Sequence, residues 1–168
     1  MAVSQLHGER VTLVPVTAQH SAELIRIRRT PAVFERWAEI DLGFPFDDPD
    51  AVVLTVLVEQ AVRGLVQYTE EPSPMYRHAG IDLFLDPVVH GRGIGREVVW
   101  LVADHLIRDR GHHRVVIDPA VDNAPAIRCY ASVGFRPVGV LRRYERGPDG
   151  TWHDALLMDL LADELRRP

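Results

Sequence analysis

Hydrophobic and polar residues recur along the chain with two periods, which predict both strands and helices. Residues 11–16 alternate with a period of two, residues 52–58 are rich in β-branched side chains, and residues 79–85 form an apolar run with one acid, Asp82; all three segments predict strands. The early part of 52–58 is also compatible with a helix. A long helix that ends at Gly111 is predicted after residue 90. Five residues there recur at helical spacing and would lie on one face: Ile94, Val98, Leu101, Val102 and His105.

Turn and capping residues divide the rest of the chain. Helices are expected over 17–30, capped by Thr17, over 32–38, and over 123–134, between Asn123 and Gly134. Further strands are expected over 65–68, 114–117, 138–141 and 155–161. Loops are expected over 42–49 and 70–78, and turns over 60–64 and 147–150. These elements predict an α/β (α+β) fold with a mixed, partly parallel central sheet flanked by helices.

Composition bounds the class of protein. With 168 residues, 46% hydrophobic and 26% charged, we expect a single domain over residues 1–168 with a sizeable core. No apolar run approaches the ~20 residues that span a bilayer, and residues 1–10 lack the apolar core of a signal peptide. We therefore expect a cytoplasmic protein without a membrane partner. A net charge of −5 disfavours nucleic acid as a partner and leaves room for a cationic one.

Acidic residues concentrate in two segments. Between residues 35 and 50 a single base, Arg36, stands against Glu35, Glu39, Asp41, Asp47, Asp48 and Asp50. Glu70 and Glu71 form the second segment. A solvated surface is the ordinary interpretation of such runs. If both segments flank one cleft, however, they form an electrostatic funnel for a cation.

The segment 90–96, His-Gly-Arg-Gly-Ile-Gly-Arg, joins the predicted strand 79–85 to the long helix. A strand, a glycine turn and a helix N-terminus bring several unpaired backbone N–H groups to one point, which favours phosphate binding. A Walker loop requires Lys followed by Ser or Thr, where this chain has Arg96 and Glu97. The dinucleotide fingerprint requires its third glycine one position later than Gly95.

The remaining pattern resembles the acetyl-CoA pyrophosphate loop of the GCN5-related N-acetyltransferases (GNAT family), Gln/Arg-x-x-Gly-x-Gly/Ala, with His90, Gly93 and Gly95 at its defined positions. Residues 123–135 match a second signature of the family, Asn-x-x-Ala-x-x-x-Tyr-x-x-x-Gly-Phe, at the right distance. The resemblance implies the mixed GNAT sheet, and acetyl-CoA as co-substrate with no metal. Because His stands in the Gln/Arg position, we expect the loop to bind through its backbone. The acetyl-CoA-binding residues that the resemblance implies are Phe84, Leu85, His90, Gly91, Arg92, Gly93, Ile94, Gly95, Arg96, Asn123 and Ala126.

Within the family, three short runs resemble the aminoglycoside 6′-N-acetyltransferases: residues 80–82, 117–119 and 126–130. That resemblance implies that Asp82 lies beside the reacting amine and that Asp118 contacts the aminoglycoside, a cationic small-molecule amine. The structural alternative for Asp82 is a strand acid that faces solvent or pairs with Arg77, and for Asp118 it is a turn residue. The tail over 139–161 is equally similar to the Rim-type protein N-terminal acetyltransferases.

The reaction that the resemblance implies needs a proton acceptor for the amine and a donor for the departing thiolate. Asp82 is expected to position the amine and accept its proton. Tyr130 is the expected acid, and it would act by hydrogen bonding, because a phenol has a pKa of about 10 and a thiol one of about 8.5. The backbone N–H of Leu85 is the implied oxyanion donor. Asn123 is expected to contact pantetheine, to cap its helix, or both. Trp37 is a candidate for the substrate side, with core packing as its alternative.

Other residues suggest further chemistry less strongly. Cys129, the only cysteine, excludes an intramolecular disulfide, and without a patterned His partner it is expected to be a core residue rather than an acyl carrier. His112 and His113 lack a further metal ligand at suitable spacing and are expected to form a turn. A non-catalytic acyl-CoA-binding module is disfavoured by the joint presence of Asp82 and Tyr130. The oligomeric state, monomer or homodimer, stays open.

Overall fold

The computed structural model describes residues 3–37 and 40–168. Within these residues it contains eight strands and four α-helices. The strands are β1 (Leu6–His7), β2 (Val11–Pro15), β3 (Val52–Val58), β4 (Ala61–Glu71), β5 (His78–Leu85), β6 (Arg114–Ile117), β7 (Arg136–Arg146) and β8 (Trp152–Leu161). The helices are α1 (Ser21–Arg28), α2 (Pro31–Trp37), α3 (Ile94–Arg108) and α4 (Ala124–Val133). The predicted fold class is confirmed.

The described strands form one mixed sheet in the order β1-β2-β3-β4-β5-β6-β8-β7. Among them β5 and β6 are the one parallel pair, and all other neighbours are antiparallel. The parallel ladder joins only Ala79 to Val115 and Gly80 to Val116. β5 continues to Leu85 and β6 to Ile117 beyond that ladder. The sheet therefore opens into a gap between these two strands.

Two clusters of buried side chains hold the helices on opposite faces of the sheet. The larger cluster packs α3 on the sheet and includes Val98, Val102 and Ile81. The smaller cluster packs α1 and α2 on it and includes Leu24 and Phe84. Successive side chains of a strand point to opposite faces, so Ile81 and Phe84 of β5 belong to different clusters. No helix in the described part of the chain is long and apolar enough to cross a membrane.

Several boundaries differ from the prediction. Residues 52–58 are strand throughout, so the helical alternative for their early part is wrong. β4 starts at Ala61 and ends at Glu71, so the predicted turn over 60–64 and the predicted loop over 70–78 are both shorter than expected. β7 spans 11 residues although nearly all its side chains are exposed, because its backbone pairs with β8. The end of the predicted helix over 32–38, at Ala38, lies outside the described residues.

Candidate active site

The glycine loop connects β5 to α3. Gly91 and Gly93 have φ angles of 71° and 77°, a region that residues with a Cβ rarely enter. Gly93 is the N-cap residue of α3 and supplies no side-chain cap. The first N–H groups of α3 therefore lie uncapped by that residue, at the positive end of the helix dipole. This geometry is the one that the expected phosphate-binding loop requires.

Side chains around the loop favour binding by its backbone rather than by His90. The His90 Nε2 donates to the carbonyl oxygen of Leu85 at 3.0 Å, so this ring is already engaged with the end of β5. A Cβ on Gly95 would lie 3.4 Å from Leu85 Cδ1 and 3.6 Å from Cys129 Sγ. These are ordinary van der Waals distances, so a methyl group would fit at this position, whereas a larger branched side chain would press on Leu85 and Cys129.

The unpaired edge of β5 carries the expected oxyanion donor. The N–H of Asp86 donates to the carbonyl of Arg63 at 2.7 Å, on the side of β4. Since N–H groups alternate in direction along a strand, the N–H of Leu85 points to the other side, into the gap. The next N–H on that side belongs to Leu83, and it donates to the Asp82 carboxylate at 2.9 Å.

A cleft of about 460 Å³ lies beside the paired part of β5 and β6. Asp82 on β5 points to the same face of the sheet as Phe84, two residues later. Asp118 directly follows the last residue of β6. Both aspartates line the cleft, together with Gln67, Tyr68, Thr69, Glu70, Glu71, His78 and Tyr144. The two acids that the sequence selected are thus brought together by the parallel pair of strands.

The Asp82 carboxylate has an unusual acidity. It is open to the solvent of the cleft, but the surrounding protein displaces most of the bulk water. This desolvation raises the pKa of Asp82 to about 7, and the negative charge of Asp118 adds to the increase. The N–H of Leu83 and the guanidinium of Arg28 act in the opposite direction. At neutral pH such a carboxylate can both accept and release a proton.

Two residues of β7 complete the acidic side of the cleft, and neither was among the predicted site residues. The hydroxyl of Tyr144 hydrogen-bonds to the Asp118 carboxylate, which raises the pKa of Tyr144 to about 12. Burial raises the pKa of Asp118, while the bond from Tyr144 opposes that effect. Burial and the charge of Asp118 also raise the pKa of Glu145. Only the pairing of β7 with β8 and of β8 with β6 brings these residues to Asp118, so no local sequence signal marks them.

The expected acid, Tyr130, lies on α4 and is buried against Phe135, with the ring centroids 6.3 Å apart. Burial raises the pKa of Tyr130 above its usual range, and Cys129, Asp82 and Asp118 act in the same direction. Its hydroxyl therefore stays protonated at neutral pH, as a hydrogen-bond donor must. Burial also raises the pKa of Cys129 to about 11, so little thiolate forms at neutral pH. This acidity argues against an acyl-Cys mechanism.

Other predicted site residues have evident structural roles. The Asn123 side chain accepts the N–H of Ala126 at 3.4 Å and so caps α4. Phe84 is buried beneath α1 and α2, which leaves only its backbone for a cofactor. Trp37 packs edge-on against Phe84 at 5.0 Å and is not among the described residues that line the acidic cleft. Substrate contact by Trp37 stays a prediction, and packing is the role that its surroundings support.

Glu70 borders the cleft with its backbone, but it pairs with Ala79 in the sheet, so its side chain points to the α3 face, opposite to Asp82. It accepts hydrogen bonds from Arg110 at 2.9 Å and from His112 at 2.6 Å. Although burial opposes the change, these two partners lower the pKa of Glu70. His112 lies in the turn between α3 and β6, as expected, and its side chain is in addition buried and bonded to β4. Of the second acidic segment, Glu71 is the residue left to attract a cation.

A buried arginine lies beside the cleft among aromatic rings. The Arg28 guanidinium is 5.1 Å from the ring centroid of Trp37, 4.8 Å from that of Phe44 and 5.9 Å from that of Phe84. Its Nη2 also donates to the carbonyl of Trp37 at 2.9 Å. These contacts hold the end of α2 and the following loop on α1, and Arg28 was not among the predicted site residues.

The acidic segment 35–50 lies partly beside the cleft. Burial lowers the pKa of Arg28, whereas the charges of Asp47, Asp41 and Asp82 oppose that effect. Two acids of the segment are thus grouped with Asp82 around one guanidinium. The funnel for a cation stays a prediction, and the buried Arg28 cation would reduce its net charge. Glu39 lies outside the described residues.

Residues 19–135 match the family model of the acetyltransferase (GNAT) family. The chain belongs to this family. The matched region contains the glycine loop, the gap between β5 and β6, Asp82, Asp118 and Tyr130. Family membership makes the chain an acetyl-CoA-dependent N-acetyltransferase.

This GNAT protein is similar to acetyltransferases of several kinds. The probable N-acetyltransferase YjcK of Bacillus subtilis (strain 168) is 27% identical over 136 residues, which are 81% of this chain and 69% of YjcK. The N-alpha-acetyltransferase RimI of Mycobacterium tuberculosis is 36% identical over 74 residues, 44% of each protein. The structure of Mycobacterium smegmatis RimJ in complex with CoA-disulfide has a TM-score of 0.79 at 24% identity, over 94% of this chain and 84% of RimJ, and shows the shared fold. None of these three is described as an aminoglycoside acetyltransferase.

The residues of the site fit acetyl-CoA in two places. The loop at the start of α3 offers backbone N–H groups to a pyrophosphate. The positive φ angles of Gly91 and Gly93 favour glycine, and glycine has no side chain to cover these groups. The unpaired edge of β5 offers backbone groups to the amides of a pantetheine arm. Acetyl-CoA held by these groups would supply the activated acetyl group.

Proposed function

We propose that this GNAT protein acetylates the 6′ amine of an aminoglycoside by direct transfer from acetyl-CoA in a ternary complex. The observation that carries the proposal is the acidic cleft, in which Asp82 and Asp118 face one cavity beside Glu71. An aminoglycoside carries several ammonium groups, and each of them needs a counter-charge in a site walled by protein. A peptide N-terminus carries one such group and requires backbone partners instead.

In this proposal Asp82 receives the proton of the amine. The amine nitrogen bonds to the acetyl carbonyl carbon, the carbon–sulfur bond breaks, and the proton passes to the Asp82 carboxylate, directly or through water. With a pKa of about 7 rather than 3.8, Asp82 is about a thousandfold stronger as a base than an ordinary aspartate. The desolvation of the cleft therefore suits Asp82 to this role.

Backbone and phenol groups stabilise the charge that develops on the acetyl group. The N–H of Leu85 points into the gap, where it can donate to the carbonyl oxygen as negative charge builds there. Tyr130 donates a hydrogen bond to the departing sulfur. Because burial raises the pKa of Tyr130, it stabilises the thiolate by this bond, and the final proton comes from water.

Asp118 binds the substrate away from the reacting amine. Tyr144 holds its carboxylate, and the nearby Glu145 adds a further negative charge. A second ammonium group of the substrate fits between these acids. Asp118→Asn should therefore raise KM for the aminoglycoside more than it lowers kcat. Asp163→Asn is the matched control, because Asp163 is exposed and is not among the residues that line the cleft.

A thiol-release assay with acetyl-CoA tests the substrate class. An aminoglycoside panel is compared with peptides that begin with Ser, Ala or Met, at equal concentrations, and the modified nitrogen is located by NMR. We expect a higher kcat/KM for aminoglycosides and acetylation at the 6′ position. A neutral peptide that outcompetes every aminoglycoside would refute the proposal.

Acetylation of a protein N-terminus is the second candidate function. The observation that favours it is the similarity to RimI, an N-alpha-acetyltransferase, at 36% identity over 74 residues. The peptide arm of the same assay tests it directly. If CoA binds and no amine releases thiol, the chain is instead a non-catalytic acyl-CoA-binding module.

A further inference from the structure

The first strands of the sheet are tied to the start of α3 by one carboxylate. Glu97, in the first turn of α3, is 8% exposed. Its Oε1 accepts the backbone N–H groups of Arg10 at 2.8 Å and Val11 at 3.1 Å, and its Oε2 accepts Nε of Arg10 at 3.2 Å. A buried carboxylate persists only when its oxygens are well paired. Glu97 therefore fixes the start of β2 against the beginning of the helix.

The turn before β2 is shaped around this carboxylate. A Cβ on Gly8 would lie 2.2 Å from Oε1 of Glu97, so only glycine leaves room for the acid. The N–H of Gly8 donates to the carbonyl of Val11 at 2.8 Å and closes the turn. The backbone that carries Arg10 is thus held on both sides of that residue.

From this anchor the Arg10 side chain extends onto the glycine loop. Its Nη1 donates to the carbonyl oxygen of Arg92 at 2.6 Å. A Cβ on Gly93 would lie 3.2 Å from Nη2 of Arg10. In a planar trans peptide the C=O and the following N–H point in opposite directions. The hydrogen bond to the Arg92 carbonyl therefore turns the N–H of Gly93 away from Arg10 and away from β2.

We propose that Arg10 is a positioning residue for acetyl-CoA. Arg10 orients the peptide between Arg92 and Gly93 so that the N–H of Gly93 faces the pyrophosphate. Glu97 acts as the anchor of Arg10. This inference rests on the CoA-binding loop of the proposed function and extends it to a residue outside 19–135, the part of the chain that matches the family model. Arg10 acts through the loop and does not itself need to touch the ligand.

Calorimetric titration with CoA tests this role without any acceptor amine. Arg10→Met removes the side-chain contacts to Glu97 and Arg92, while the backbone N–H of residue 10 still donates to Glu97 and the side chain stays unbranched. We therefore expect the Kd for CoA to rise about tenfold, or about 1.4 kcal/mol. Arg10→Lys keeps the charge but cannot make both contacts at once, so we expect a smaller rise. The matched control is Arg108→Met, because Arg108 is an exposed arginine paired with Asp104 near the other end of α3; its Kd should not change.

A truncated donor separates loop positioning from a general structural effect. S-acetylpantetheine carries the acetyl thioester and lacks the pyrophosphate, so Arg10→Met should lower kcat/KM about tenfold with acetyl-CoA and leave it unchanged with S-acetylpantetheine. An equal loss with both donors, or an unchanged Kd for CoA, would overturn the proposal. If Arg10→Met does not fold, Arg10→Lys and Glu97→Gln carry the same test. A wild-type protein that binds CoA but acetylates no amine would end the proposed function, and the titration would still decide the role of Arg10.

Discussion

The acidity of Asp82 leads to a specific expectation for the pH dependence of catalysis. If Asp82 must be ionised to accept the proton of the amine, kcat/KM should fall as the pH drops below about 7. About half of the carboxylates are ionised at pH 7, about one-tenth at pH 6 and about one-hundredth at pH 5. The acid limb should therefore approach a tenfold loss per pH unit. An aspartate with the ordinary pKa of 3.8 would stay almost fully ionised over this range and would contribute no such limb.

Substitution of Asp118 tests what raises the pKa of Asp82. Its negative charge raises the pKa of Asp82, so Asp118→Asn should lower that pKa and move the acid limb to lower pH. One like charge nearby typically accounts for about one pH unit or more. For one unit, the ratio of activity at pH 6 to that at pH 8 rises about fivefold. The absolute kcat/KM falls at the same time, because the substrate loses a counter-charge.

The assay measures initial rates of thiol release from pH 5 to 9 at constant ionic strength, since screening of the cleft changes with salt. Wild type, Asp118→Asn and the control Asp163→Asn are compared. Asp82 and Asp118 titrate as a coupled pair, so the apparent pKa of the acid limb belongs to both residues. The test is therefore the shift of this apparent pKa between wild type and Asp118→Asn. A wild-type limb near pH 4, or an unmoved limb in Asp118→Asn, would refute the reasoning.

Further expectations concern stability, the thiolate acid and the cofactor loop. The folded protein raises the pKa of Asp82, so ionisation of this residue lowers the stability between about pH 4 and pH 7, and Asp82→Asn should raise Tm at pH 8 but not at pH 4. Because the carboxylate is open to the solvent of the cleft, we expect a gain of the order of 1 kcal/mol in thermal denaturation. Tyr130→Phe should lower kcat by roughly 10²–10³ in the thiol-release assay, with KM for acetyl-CoA little changed. Gly95→Val should abolish CoA binding in calorimetry, whereas His90→Ala should weaken it less than about tenfold, because the His90 ring bonds to Leu85.

Circular dichroism of each variant checks that the fold is retained. Equal Tm changes of Asp82→Asn at both pH values would contradict the stability argument. Wild-type turnover of Tyr130→Phe would reduce that tyrosine to a packing residue. A loss of CoA affinity at His90 as large as that at Gly95 would contradict binding through the backbone.

Short-range signals in the sequence were enough to locate the loop and helix that form the cofactor side of the site. The glycines of the loop over 90–96, the Asn123 cap and the left-handed Gly134 after α4 each depend on residues within a few positions. Conformational preferences of this kind act within one turn of the chain, so a linear pattern records them. The strand that contains Asp82 and the strand end that precedes Asp118 were predictable for the same reason.

Only the tertiary structure decided which distant residues form the ion pairs, hydrogen bonds and strand pairs that position these elements. Arg10 and Glu97 are 87 positions apart, Glu70 and His112 are 42 positions apart, and Tyr144 reaches Asp118 only through two strand pairings. The length of β7 likewise follows from hydrogen bonds to β8 rather than from a hydrophobic pattern. The physical reason is that the pairing of a buried charge and the ladder of a strand depend on which segments the topology brings together, and no local preference encodes that choice.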